Sequence, residues 1–212
     1  MLRRPVWAVV PAKSFARGKS RLRPVMADAE RARFAGELLE HTLSVLGASN
    51  LDGVLVATDG DDVAALARSH GAEILRDRVA PTLAAVVDGA LADVEARGAR
   101  AALVLMADLP RFGVADVGEI LGALESHDVV IVRDHEGRHT NALGLARPTA
   151  FRTCFGRPDS FAAHCAAAKE AGLDLVVVDN ERVAFDVDAP ADHARLSAPP
   201  PQGLPPRPAT GT

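Results

Sequence analysis

The chain has 212 residues, 48% of them hydrophobic and 25% charged, enough apolar material for one ordinary core and too much for a disordered protein. A net charge of −4 leaves no broad basic surface and excludes nucleic acid as a main partner. The charge is uneven, because residues 1–27 hold seven Lys and Arg and no acid, which puts +7 there and −11 in the remainder.

The first predicted element is a buried strand over Val6–Val10, ended by Pro11 and followed by a basic, glycine-containing loop. The apolar run stops far short of the ~20 residues a membrane span needs, and it is too short for a signal peptide, so a cytoplasmic protein without membrane contact is expected. Cys154 and Cys165 lack the CxxC spacing of redox or zinc sites and read as ordinary reduced thiols. From Asp28 the period changes. Phe34, Leu38, Thr42 and Leu46 recur every four residues with Leu39 and Leu43 beside them, predicting a helix capped by Asp28 and stopped near Gly47.

The alternation then continues with strand Val54–Ala57, helix Asp61–His70, short strand Glu73–Leu75, helix Leu83–Arg97 and strand Ala101–Met106. A helix marked by Val117, Ile120, Leu121 and Leu124 precedes strand Val129–Val132, and Asn141–Ala146 is placed to pair with that strand antiparallel. A helix over about Asp159–Ala171, a strand over Leu173–Val178 and a short helix after Pro190 complete the series. Such an order predicts a three-layer α/β domain over residues 1–196, with a mixed, mostly parallel sheet and helices on both faces. Residues 197–212 are proline-rich and read as a disordered tail, and there is no internal repeat.

The loop from Pro11 to Leu22 follows the first strand, where a doubly wound sheet places its ligand crevice, and it carries Lys13, Arg17, Lys19 and Arg21. Gly18-Lys19-Ser20 matches the end of a P-loop, but Lys13 stands where that motif needs glycine and Pro24 blocks an immediate helix. Phosphate binding by ammonium and guanidinium groups fits this loop, and ATPase chemistry does not. Asp108 sits at the carboxyl end of the most continuous apolar run, a position suited to a metal or substrate contact. In Phe185-Asp186-Val187-Asp188 an extended backbone would turn both carboxylates to one face, where they could share a cation; the same residues also suit a turn with Asp188 as helix cap ahead of Pro190. His135-Glu-Gly-Arg-His139 spells the HExxH zinc string, but Gly137 and the strand-like flanks assign a loop, in which the two imidazoles do not share a helix face. No Ser/His/Asp set stands out.

Taken together, Val10-Pro-Ala-Lys13 with Gly18-Lys-Ser-Arg-Leu22, Met106-Ala-Asp-Leu-Pro110, Thr140-Asn-Ala-Leu143, Ser160-Phe-Ala-Ala-His164 and Phe185-Asp-Val-Asp188 resemble the 2-phospho-L-lactate guanylyltransferase family, which includes the phosphoenolpyruvate and 3-phospho-D-glycerate guanylyltransferases of coenzyme F-420 biosynthesis. The resemblance covers about residues 5–196. It implies a nucleotide-diphospho-sugar transferase-like fold shared with the molybdenum-cofactor guanylyltransferases. It further implies that Pro11, Ala12, Lys13 and Lys19 bind GTP, with Lys13, Lys19, Arg21 and Asp108 acting in catalysis. By the same resemblance Asp108, Asp186 and Asp188 hold magnesium, and Thr140, Gly156 and Ser160 contact the phosphorylated acid. Two departures stand out. Pro81-Thr-Leu-Ala-Ala85 replaces the family's usual Gly-Leu-Asn-Ala-Ala, removing an asparagine contact to the nucleotide, and the loop Phe155–Ser160 is one residue longer than usual.

The reaction implied is attack by a substrate phosphate oxygen on the α-phosphorus of GTP. That nucleophile is already anionic, so no triad is needed. The partners expected are GTP and a small phosphorylated carboxylic acid, and a homodimer is compatible with this reading. The rivals are another nucleotidyltransferase of the same fold, acting on a molybdopterin or a phosphorylated sugar; a glycosyltransferase; and a nucleotide-binding module without catalysis.

Overall fold

A computed structural model describes residues 5–76 and 82–197. In chain order it contains β1 (Val6–Pro11), α1 (Asp28–Gly47), β2 (Gly53–Thr58), α2 (Asp61–Ser69), β3 (Glu73–Arg76), α3 (Leu83–Ala96) and β4 (Ala101–Leu105). Then follow α4 (Val114–Ala123), β5 (Val129–Arg133), β6 (Thr140–Leu145), α5 (Ser160–Glu170), β7 (Leu175–Val177), α6 (Glu181–Ala184) and α7 (Pro190–Ser197). The expected strands and helices are all present among these. The expected tail lies outside the described residues, apart from Ser197, which ends α7.

The described strands form one seven-stranded sheet in the order β3-β2-β1-β4-β6-β5-β7. Neighbours run parallel except at β6, which is antiparallel to β5, as its sequence position predicts, and also to β4. Side chains alternate across the sheet with the period of two that strands impose. Ala8, Val10, Leu103, Leu105, Val130 and Val132 face Leu39 and Leu43 of α1, Val63 of α2 and Ile120 of α4. Val9, Ala102, Val104, Val129 and Ile131 face Val87, Leu91 and Val94 of α3 and Ala168 of α5. This is the three-layer arrangement, and each fully buried Leu, Ile or Val contributes up to about 1.5–3 kcal/mol.

Two local readings are corrected and one element is added. Asp28 is the first residue of α1 and not its cap; Ala27 takes that place, with its N–H donating to Glu30 Oε2 at 3.0 Å, while Asp28 pairs with Arg31 at 2.6 Å. Asp188 does not cap α7, because Asp192 Oδ2 accepts the N–H groups of Asp188 and Ala189 at 3.2 and 2.8 Å. The short α6 carries no usable period; Asn180 Oδ1 starts it by accepting from Arg182 and Val183. The HExxH string is a loop, as expected, with Gly137 turning it at φ +72°. Its two histidines diverge: Asp134 holds His139 Nδ1 at 2.9 Å, and His135 lies between Asp186 and Asp192.

From β1 the chain builds outward through β2 and β3, then returns to place β4 on the other side of β1. The carboxyl ends of β1 and β4 therefore open a crevice at the point where strand order reverses, the usual ligand position in such sheets.

Candidate active site

The basic loop is anchored at both ends. At its start Asp62 Oδ2 accepts from Ser14 Oγ and the Phe15 N–H at 3.1 and 2.9 Å, and Arg17 pairs with Asp59. The loop then winds through two 3-10 turns, Phe15–Arg17 and Ser20–Leu22, a path quite unlike a P-loop entering a helix. Arg31, buried on α1, donates from Nη1 to the Gly18 carbonyl at 2.5 Å. At the far end Leu22 packs against Phe185 and Val187 in a small buried cluster. Lys19 is the only non-glycine with positive φ among the described residues, at φ 50° and ψ 37°, so the loop carries backbone strain at the residue it presents to the crevice.

Phe185 and Val187 turn inward, which leaves Asp186 and Asp188 on the opposite side, as the alternation of an extended segment requires. The Val187 N–H donates to the Asp108 carbonyl at 3.3 Å, so this segment lies directly beside the end of β4. Asn141 on β6 donates from Nδ2 to the carbonyls of Val183 and Ala184 at 3.0 and 3.1 Å, fixing its approach.

Into this corner Lys19 extends its ammonium, 2.6 Å from Asp108 Oδ2 and 3.0 Å from Asp188 Oδ1, with its side chain only 8% exposed. Arg21 Nη1 stands 3.6 Å from Asp188 Oδ2. Burial alone would lower the Lys19 pKa, but the two carboxylates outweigh it and raise it. Burial likewise works to raise Asp188, and Lys19 and Arg21 hold it below the usual carboxylate value. Asp186 has no such cation. Burial, then the charges of Asp108 and Asp188, push it up to about 6.

Two cavities meet here. A cleft of about 590 Å³ runs under the basic loop and is lined by Pro11, Ala12, Lys13, Lys19 and the first turn of α3, where Thr82 caps the helix. A second cavity of about 390 Å³ lies beside β6 and is lined by Thr140, Gly156 and Ser160. Leu83, Met106, Asp108 and Asp188 border both. Arg21 lines the second cavity and not the first, away from its loop neighbours. Gly156, at φ +84°, lets its loop pass 3.2 Å from Leu83 Cβ, as measured from the position its own Cβ would take.

Sequence reasoning missed Arg138, Arg157 and Asn141, which also line the second cavity. The two arginines lie in polar loops where their spacing carries no period, whereas Asn141 stands inside the Thr140-Asn-Ala-Leu143 motif and could have been singled out there.

Among the described residues no group of three His, Cys, Asp or Glu side chains stands ready to hold a metal ion, since Asp108 and Asp188 are drawn onto Lys19. The donor chemistry nevertheless fits a hard divalent cation. Two carboxylates share the Lys19 ammonium, and a third, Asp186, lies close enough to feel the charges of both, which adds to burial in raising it.

A mixed sheet with a basic loop at its switch point and paired cavities meeting at carboxylates defines a nucleotidyltransferase-type site. The fold is similar to a protein of Desulfovibrio desulfuricans G20 described as a nucleotide-diphospho-sugar transferase, with a TM-score of 0.75 and 16% identity over 90% of this chain and 85% of that one. The profile described as "Guanylyl transferase CofC like" matches residues 6–197, and the chain belongs to that family. A phosphoenolpyruvate guanylyltransferase of Rubrobacter xylanophilus is 39% identical, covering 91% of this chain and 94% of its own. A 2-phospho-L-lactate guanylyltransferase of Methanothermobacter thermautotrophicus is 32% identical (87% and 81% covered), and a 3-phospho-D-glycerate guanylyltransferase of Phenylobacterium zucineum is 30% identical (90% and 88%). The chain is accordingly an enzyme, a guanylyltransferase.

Proposed function

We propose that this enzyme transfers the guanylyl group of GTP to the phosphate of a small phosphorylated carboxylic acid, within coenzyme F-420 biosynthesis in the cytoplasm. The observation that carries this reading is the pair of cavities sharing a wall at Asp108 and Asp188, a larger one for the nucleotide and a smaller one for the acid. Pro11, Ala12, Lys13 and Lys19 face the triphosphate, and Thr140, Gly156 and Ser160 face the acid, with Arg21 beside it.

An oxygen of the acid's phosphate attacks the α-phosphorus. A new P–O bond forms as the bond to the β-phosphate bridge breaks, and pyrophosphate leaves with the bonding pair. The nucleophile is anionic at neutral pH, so the side chains need not remove a proton. Their task is to hold two polyanions in line against their repulsion, which Lys13, Lys19 and Arg21 do by charge. Magnesium held by Asp108, Asp186 and Asp188 would supply further neutralisation and alignment. With the cation bound, Lys19 would share Asp108 and Asp188 with it and could turn its ammonium to the phosphates.

The test is to incubate the protein with GTP, magnesium and, in turn, phosphoenolpyruvate, 2-phospho-L-lactate and 3-phospho-D-glycerate, measuring pyrophosphate and identifying the product by mass. Acid-dependent pyrophosphate release with a diphosphate-linked guanosine product is expected. Tight GTP binding without turnover on any of the three acids would remove this reading.

A further inference from the structure

The wall of the second cavity away from the nucleotide rests on a histidine. His164 of α5 is fully buried, with the ring of Phe155 4.7 Å away, centroid to centroid. Its Nε2 receives the backbone N–H of Cys154 at 2.8 Å, which only an unprotonated nitrogen can do. Burial also pushes its pKa down to about 4, so at neutral pH the ring is uncharged and carries its single proton on Nδ1.

Nδ1 lies 2.9 Å from Thr140 Oγ1 and therefore donates to it, with the Ser160 backbone carbonyl one turn back as a second acceptor for the same proton. A hydroxyl that accepts in this way keeps its own hydrogen for another acceptor, and no acceptor for it is found among the described residues. Thr140 lines the cavity. Beside it, Ser160 Oγ accepts the Thr140 N–H at 3.2 Å, so one acceptor site of this hydroxyl is also taken while its hydrogen is not. Carboxylate and phosphate oxygens at neutral pH are dominated by acceptor capacity, and they match two hydroxyls left to donate.

We propose that His164 is a positioning residue for the acid substrate: by donating from Nδ1 to Thr140 Oγ1, it turns that hydroxyl's own proton away from the ring and toward an oxygen of the anion in the second cavity. This rests on the reading that the acid occupies that cavity.

The test compares Thr140→Val, His164→Leu, His164→Asn and the double variant Thr140→Val/His164→Leu by steady-state kinetics against both substrates. Thr140→Val should raise KM for the acid roughly tenfold and leave that for GTP within about twofold, the size expected for one hydrogen bond to an anion. His164→Leu should do the same, and the double variant should be no worse than Thr140→Val alone. His164→Asn, whose amide nitrogen can replace the Nδ1 donor, should recover most of the loss. A His164→Leu variant with unchanged acid KM, or a double variant in which the two losses add in full, overturns the role of His164 while the acid pocket stands. An unchanged acid KM in Thr140→Val overturns the placement of the acid and this inference with it. Should His164→Leu fail to fold, the ring nitrogen shifts of the native enzyme decide: Nδ1 protonated and Nε2 bare across pH 6–8 is required, and the reverse tautomer overturns the proposal.

Discussion

The cleft under the basic loop and the cavity beside β6 share Asp108 and Asp188, yet different forces hold them in shape. On the cleft side, Lys19 is fastened by two carboxylates and Arg17 by Asp59, so the geometry depends on opposite charges and on a strained backbone at Lys19. On the cavity side, Thr140, Ser160 and His164 are buried and joined by neutral hydrogen bonds between β6 and α5. Charge pairs can exchange one ion for another when a polyanion or a cation arrives. A neutral buried network has fixed donors and acceptors, so it is suited to reading one substrate's shape.

The largest effect should come where the two regions meet. Asp108→Asn and Asp188→Asn are expected to lower turnover by at least ~100-fold in a folded protein, since each removes charge from the wall at which we propose both substrates and the cation are aligned. The check is kcat for pyrophosphate release together with the circular dichroism of each variant. Near-normal turnover in a folded Asp186→Asn/Asp188→Asn double variant would leave these carboxylates as structural groups only.

Next in size is a pH effect confined to the cavity side. In the unfolded chain His164 takes up a proton near the ordinary imidazole value of 6.5, and in the folded enzyme only near 4, so its contribution to stability is full above about pH 6.5, is lost progressively as pH falls from there, and is gone once pH has passed through 4. The loss amounts to at most about 3 kcal/mol. Denaturant titrations of the native enzyme and of His164→Asn at pH 7 and pH 4.5 should show the native enzyme losing more. Equal losses would mean that the imidazole is not desolvated as the fold requires.

A smaller and more selective change should follow Thr140→Ala and Ser160→Ala, each raising KM for the acid about 5- to 20-fold with little effect on GTP. If GTP alone is weakened, the acid has been assigned to the wrong side of Asp108.

The smallest effect belongs to the two histidines of the HExxH string. His135 touches Asp186 at 3.2 Å, but Asn141 and the Val187 N–H also hold that segment, so His135→Ala and His139→Ala should keep turnover within a few fold. Stoichiometric zinc in the purified protein, lost on either substitution, would contradict the loop assignment.

Much of the site was legible in the chain itself. Asp108 was marked by the apolar run ahead of it, and the face shared by Asp186 and Asp188 by their spacing of two in an extended segment, which the inward Phe185 and Val187 bear out. Lys19 was marked as basic, but nothing local to it pointed to a partner 169 residues away. His164 stood out in the sequence only as the end of the Ser160–His164 motif, because its burial and tautomer are set by Cys154 and Thr140, which reach it from two different loop and strand segments.

The sequence by itself determined the alternation of strands and helices, the loop in place of a zinc helix at Gly137, and the absence of a P-loop, because period, glycine and proline act within a few residues of where they stand. Only the tertiary structure decided that β6 enters between β4 and β5, that Lys19 bridges Asp108 and Asp188, and that Arg21 turns to the second cavity while Lys13, Arg17 and Lys19 of the same loop line the first. Each of those depends on which distant segments meet. Contacts of that kind are selected by the packing of the whole sheet, and they leave no period in the sequence of either partner.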